Sequence, residues 1–125
     1  MALRVAVTGA SGRMGQSVAR AASAEPEMEL ACLVARPGSG LIGSRVASIV
    51  GDENCPIIVS DVLDLETVDV VIDFTLPESS LANARACAGA GVPVVIGTTG
   101  FSEAEQADLE STLACLLYTS PSPRD

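Results

Sequence analysis

Short apolar runs alternate along the chain with stretches in which apolar residues recur every three or four positions, and glycine stands at many of the junctions. Residues 3–8 are apolar, rich in β-branched side chains and stopped by Gly9, the pattern of a buried parallel strand. From Arg13 to about Ala24 the spacing turns helical, with Met14, Val18, Ala21 and Ala22 as the expected apolar stripe and Arg13, Gln16 and Arg20 turned away. Residues 28–35 read as a second strand, ended by Arg36, Pro37 and Gly38. Residues 41–56 carry little periodicity beyond one turn of helix expected over 45–50. Residues 57–59 are expected as a brief strand and 68–74 as a clear one.

Thr75 and Glu78 have capping-box spacing, and the helix they would open is expected to reach about Ala88, with Leu81, Ala84 and Ala88 on its buried face and Gly89 and Gly91 closing it. Residues 92–96 form another strand, and Ser102 with Glu105 a second capping box ahead of a helix through Leu109 and Leu113. Strand, helix, strand, strand, helix, strand, helix is the rhythm of right-handed βαβ crossovers. The expected fold class is therefore α/β, a Rossmann-like parallel sheet with helices on both faces. Residues 1–114 form this incomplete domain. Residues 115–125, ending in a Ser/Pro-rich run, differ in composition from all that precedes and are expected to be a non-native, disordered tail.

At 125 residues with 48% hydrophobic and 18% charged side chains, the chain can build a core and is not of disordered composition. A formal charge of −9 argues against nucleic-acid and membrane-surface partners, although backbone amides can still hold a phosphate inside an acidic protein. The four cysteines lie far apart and there is no histidine, so zinc spacings are absent, no metal is expected and imidazole acid–base chemistry is excluded. Reduced thiols and no signal peptide or membrane span point to a cytoplasmic protein.

Four stretches carry candidate chemistry. Gly9, Ala10, Ser11, Gly12, Arg13, Met14 and Gly15 form a G-x-x-G-x-x-G loop between the first strand and the first helix. Glycine there permits a tight turn, close approach of a pyrophosphate to the backbone, and close helix–sheet packing. A tight turn without a ligand is the structural alternative. Where many NAD-binding proteins place an acid on the ribose, this chain has Ala35 and Arg36. Arg36 can pair with a 2′-phosphate, so the expected cofactor is NADPH, with NADH possible; a solvated loop charge is the alternative. Asp73, Phe74 and Thr75, and the loop Gly97, Thr98, Thr99 and Gly100, follow strands at the carboxyl edge where open α/β sheets bind ligands. For Asp73, a strand-end or capping role and direct cofactor contact remain open.

The segments VAVTGASGRMG, LIGS, VIDFTLPE and VVIGTTGF, in this order, resemble the 4-hydroxy-tetrahydrodipicolinate reductase family, also called dihydrodipicolinate reductase, over residues 3–114. The resemblance implies an NAD(P)H-dependent oxidoreductase of lysine and diaminopimelate biosynthesis, a homotetramer when complete, acting on a small cyclic dicarboxylate. It implies that Gly9 to Met14 hold the pyrophosphate, that Arg36 lies near the adenosine ribose, and that Gly97, Thr98 and Thr99 lie near the nicotinamide, Thr99 reaching the substrate; Phe74 and Thr75, at the end of their strand, are expected to line the cofactor beside them. Family members often carry an acid before the arginine, where Ala35 stands here. The paired histidines, lysine and glycine-threonine motif that serve the reduction belong to a second, α+β domain and do not occur in this chain, so no catalytic residue is assigned and the piece alone is expected to be inactive. The rival readings are a stand-alone NADP-sensing module and the cofactor domain of another two-domain dehydrogenase.

Overall fold

β1 (Leu3–Thr8) sits between two cores and organises the rest of the molecule. Its Val5 and Val7 face one side, with Ala19, Leu30, Leu33 and Val46; its Ala6 faces the other, with Val71, Cys87 and Val92. All three β1 residues are fully buried, which is why this run reads as continuously apolar rather than alternating. The computed structural model describes residues 3–51 and 55–114; the tail expected at 115–125 lies outside them. After β1 follow α1 (Arg13–Ala24), β2 (Met28–Val34), α2 (Val46–Val50), β3 (Val70–Asp73), α3 (Pro77–Ala90), β4 (Val94–Ile96) and α4 (Glu103–Leu113).

The sheet is wholly parallel, in the order β2-β1-β3-β4, with helices against both faces, a Rossmann-like arrangement. The chain leaves β1 to one side to make β2, then crosses to the other side to make β3. The carboxyl ends of β1 and β3 therefore flank a topological switch point, where such sheets open a crevice.

Several expectations are corrected. The buried row of α1 is Gly15, Ala19 and Ala22, whereas Met14 is 57% exposed. The helix rests on its smallest residues because a Cβ at Gly15 would overlap the Gly9 carbonyl, and that close approach turns the expected stripe by about one position. Gln16, expected outside, is half-buried and donates to the Ala10 carbonyl at 2.9 Å. Residues 57–59 are not a strand. Ile58 pairs antiparallel with Arg45 while Ser60 pairs in parallel with Val34, so no two successive rungs share a partner.

At the start of α3 the capping box does not form: Leu76 is the N-cap, Pro77 opens the helix, and Thr75 turns its hydroxyl to Asp73 instead. The helix runs on to Ala90, where Gly91 ends it at a φ of 73°, and its buried face is Ser80, Leu81, Ala84 and Cys87 rather than Ala88. The box at α4 forms as expected. Ser102 Oγ accepts from Glu105 N at 3.1 Å and Glu105 Oε1 accepts from Ser102 N at 2.9 Å.

Candidate functional site

The turn after β1 is fixed before any side chain contributes. Gly9 and Ala10 both donate backbone N–H groups to the Val34 carbonyl at 3.0 Å, and Gly12 N donates to the Gly9 carbonyl at 3.0 Å. Gly9 has a φ of 87°, and a Cβ there would overlap the Phe74 carbonyl. This brings the ends of β1 and β3 into contact at the switch point. Gly12 is the N-cap of α1 and offers no side-chain cap, so the helix opens with unpaired amides and its positive end facing outward.

A cavity of about 430 Å³ lies over this junction. Its rim is the glycine loop (Gly9, Ser11, Gly12) with Thr8; one wall is Ala35, Arg36 and Pro37 at the end of β2; the other is Phe74, Thr75 and the first turns of α3. Ser79 and Asn83 stand four residues apart on the α3 face that meets the cavity. Asp61, which follows the Ser60 whose carbonyl accepts from Ala35 N, lines the cavity as well. The volume falls within the usual range for small-molecule sites, roughly 300–1,000 Å³.

Behind the cavity, Asp73 is fully buried at the end of β3 and gathers five side chains. It accepts from Thr8 Oγ1 at 2.5 Å, Asn83 Nδ2 at 2.7 Å, Thr98 Oγ1 at 3.0 Å and Thr75 Oγ1 at 3.2 Å, and from the Ser80 hydroxyl. Thr98 Oγ1 in turn accepts from Thr75 N at 2.8 Å, and Gly97 N donates to the Asp73 carbonyl at 2.8 Å. With no exposed surface, Asp73 acts as the anchor that ties β1, α3 and the 97–100 loop together, a structural role at the end of β3. Burial pushes the nearby Cys87 thiol up to about 11, and the Asp73 charge adds to the shift.

Of the residues singled out from sequence, Gly9, Ser11, Gly12, Arg36, Phe74 and Thr75 share the cavity. Ala10 is buried behind it. Arg13 and Met14 are exposed at the opening of α1. Gly97 and Thr98 back the 73–75 segment without lining the cavity, and Thr99 is exposed on the same loop. Sequence reasoning missed Thr8, Asp61, Ser79 and Asn83. The last two were legible as one face of α3 pointing to the carboxyl edge, whereas nothing local to Asp61 marked it.

A parallel sheet with an uncapped glycine-loop helix facing a switch-point cavity defines a nucleotide-binding domain of the Rossmann type. The particular family follows from comparison: residues 3–117 match the family described as dihydrodipicolinate reductase, N-terminus, and the chain belongs to it. It is 44% identical over 118 residues to the 4-hydroxy-tetrahydrodipicolinate reductase of Methylococcus capsulatus, covering 91% of this chain and 43% of that protein. The enzyme of the same name from Saccharophagus degradans is 40% identical over 89% of this chain and 42% of its own length. The chain thus spans about two fifths of the curated relatives it matches. Among solved structures, a dipicolinate-bound dihydrodipicolinate reductase from a Paenisporosarcina species superposes with a TM-score of 0.60 at 26% identity, over 90% of this chain and 43% of that one. The NADP-containing aspartate semialdehyde dehydrogenase of Candida albicans shares the fold, with a TM-score of 0.64 at 21% identity, over 79% of this chain and 30% of that one.

Proposed function

We propose that this chain is the cofactor-binding portion of a reductase that converts 4-hydroxy-tetrahydrodipicolinate to tetrahydrodipicolinate, and that it takes NADPH in preference to NADH. The observation that carries the reading is the uncapped amino end of α1 at the cavity rim. α1 opens on the cavity from a glycine loop with no side-chain cap to meet its first amides, and an anionic pyrophosphate is the group such an end takes. The fit is steric as well: the glycines at 9 and 15 let backbone meet backbone with no room for a Cβ, which lowers the loop against the sheet and leaves the rim to amides.

In this reading Gly9 to Met14 cradle the pyrophosphate, and Arg36 reaches the 2′-phosphate with a charge-assisted bond. Phe74 and Thr75 form the wall beyond it, and the loop carrying Gly97, Thr98 and Thr99 borders the nicotinamide. The nicotinamide supplies the hydride; the residues of this chain bind and orient it. Acid–base chemistry and the tetramer belong to the rest of the protein, whose relatives extend well past the matched length. Among the described residues no helix is long and apolar enough to cross a membrane. A cytoplasmic location is part of the same proposal.

The test is a fluorescence titration of the 125-residue chain with NADPH and with NADH at moderate salt. Saturable NADPH binding, weakened about tenfold by Arg36→Ala with a smaller effect on NADH, is expected. No binding of either dinucleotide to the folded chain would refute the proposal.

A further inference from the structure

The end of β2 lacks a carboxylate, but the fold brings one in from elsewhere. Ser60 pairs with Val34 in parallel, Ala35 N donates to the Ser60 carbonyl at 2.9 Å and Ser60 N donates to the Leu33 carbonyl at 3.1 Å. These bonds lay Ser60 alongside the last residues of β2, so that the next residue, Asp61, emerges at the rim beside Ala35, Arg36 and Pro37. All four line the same cavity. Asp61 is exposed, and among the described residues its carboxylate makes neither a hydrogen bond nor an ion pair; the same holds for the Arg36 guanidinium. Two opposite charges thus share one end of the cavity without neutralising each other.

We propose that Asp61 reads the 2′-position of the adenosine ribose in opposition to Arg36: its carboxylate accepts from a 2′-hydroxyl and repels a 2′-phosphate. The inference rests on the dinucleotide reading above. A hydroxyl is a donor and suits a carboxylate acceptor. A phosphate monoester carries close to two negative charges at neutral pH and has no proton to give. Arg36 favours the phosphate and Asp61 the hydroxyl, so the ratio of NADPH to NADH affinity is set by the pair. The carboxylate that the fingerprint of dinucleotide-binding proteins places at the end of β2 is here carried one segment further along the chain. Nothing else in the cavity lining carries a formal charge, so no third group sets the balance.

The deciding experiment measures dissociation constants of the 125-residue chain for NADPH and NADH, for wild type, Asp61→Asn and Asp61→Glu, at low and high salt. Asp61→Asn is expected to tighten NADPH about threefold to tenfold and to weaken NADH by a few-fold, of the order of one exposed charge interaction with a doubly charged group. Asp61→Glu should stay within about twofold of wild type for both, and the gain for NADPH should shrink as salt screens it. A change in both affinities by the same factor would mean a merely structural role and overturn the inference, as would no change in either. Circular dichroism confirms that the variants fold, and the Glu variant keeps the comparison decisive should Asn perturb the loop. If wild type binds neither cofactor, the dinucleotide reading falls first; if it binds both and Asp61→Asn leaves their ratio unmoved, only the role of Asp61 falls.

Discussion

Replacing Asp73 by alanine removes one acceptor from five side-chain donors at once. Thr8 and Ser80 are sealed from water at 1% and 0% exposure, and each stranded hydroxyl costs about 1–3 kcal/mol. Thr75, Asn83 and Thr98 are only partly buried and can take up water, so their loss adds less. Relief of the carboxylate's own desolvation offsets part of the sum, which leaves an expected destabilisation of about 2–5 kcal/mol, carried mainly by the two sealed hydroxyls. Against a typical total of about 5–15 kcal/mol, that is a large fraction. Asp73→Asn keeps the shape and one acceptor while the hydroxyls rotate to meet the new amide, so about 1–2 kcal/mol is expected. Urea unfolding followed by far-UV circular dichroism gives both values. An alanine variant within about 1 kcal/mol of wild type, or an asparagine variant as unstable as the alanine one, would refute the view of Asp73 as the anchor of this edge.

Other consequences are as direct. Ser102→Ala breaks the reciprocal capping box of α4 and should cost about 1 kcal/mol in the same assay. Gly15→Ala drives a Cβ into the Gly9 carbonyl, and because the obstacle is backbone it should destabilise by about 1–3 kcal/mol and weaken dinucleotide binding at the loop. The Cys87 thiol, raised by burial from 9.0 to about 11, holds its proton in the folded chain at pH values where the unfolded chain has lost it. Its contribution is complete below pH 9 and fades as pH climbs from 9 towards 11, by up to about 2–3 kcal/mol. Cys32, raised mainly by burial, acts with the same sign. The chain has no lysine to blur this window, so a stability-versus-pH curve that Cys87→Ala leaves unflattened would contradict the assignment.

Elements that bury both faces, or one clean stripe, were legible from sequence. β1 and β3 were expected from their β-branched runs, and α4 from a capping box whose two bonds both form. Legibility failed where a tertiary contact outweighed a local signal. Thr75 has the spacing of a capping residue, but Asp73, two residues back and buried, claims its hydroxyl. Met14 matches a helical stripe, but the backbone contact of Gly15 with Gly9 fixes the rotation of α1 and leaves Met14 outside. The glycine loop and Arg36 were readable as site residues because their chemistry is local. Asp61 was not, because its position depends on a bridge between residues 26 apart, Val34 and Ser60.

Phe74 is pressed by a glycine on each side, and the two glycines differ in a way that suppressor genetics would expose. At Gly97 the obstacle to a larger residue is the Phe74 ring, so a second-site change that trims position 74 can rescue Gly97→Ala. At Gly9 the obstacle is the Phe74 carbonyl, which every residue at position 74 would present, and the φ of 87° disfavours a side chain besides. The first position is negotiable with its neighbour and the second is not. Mutational scans of pairs should therefore recover compensated variants at 74 and 97, and none at 9 and 74.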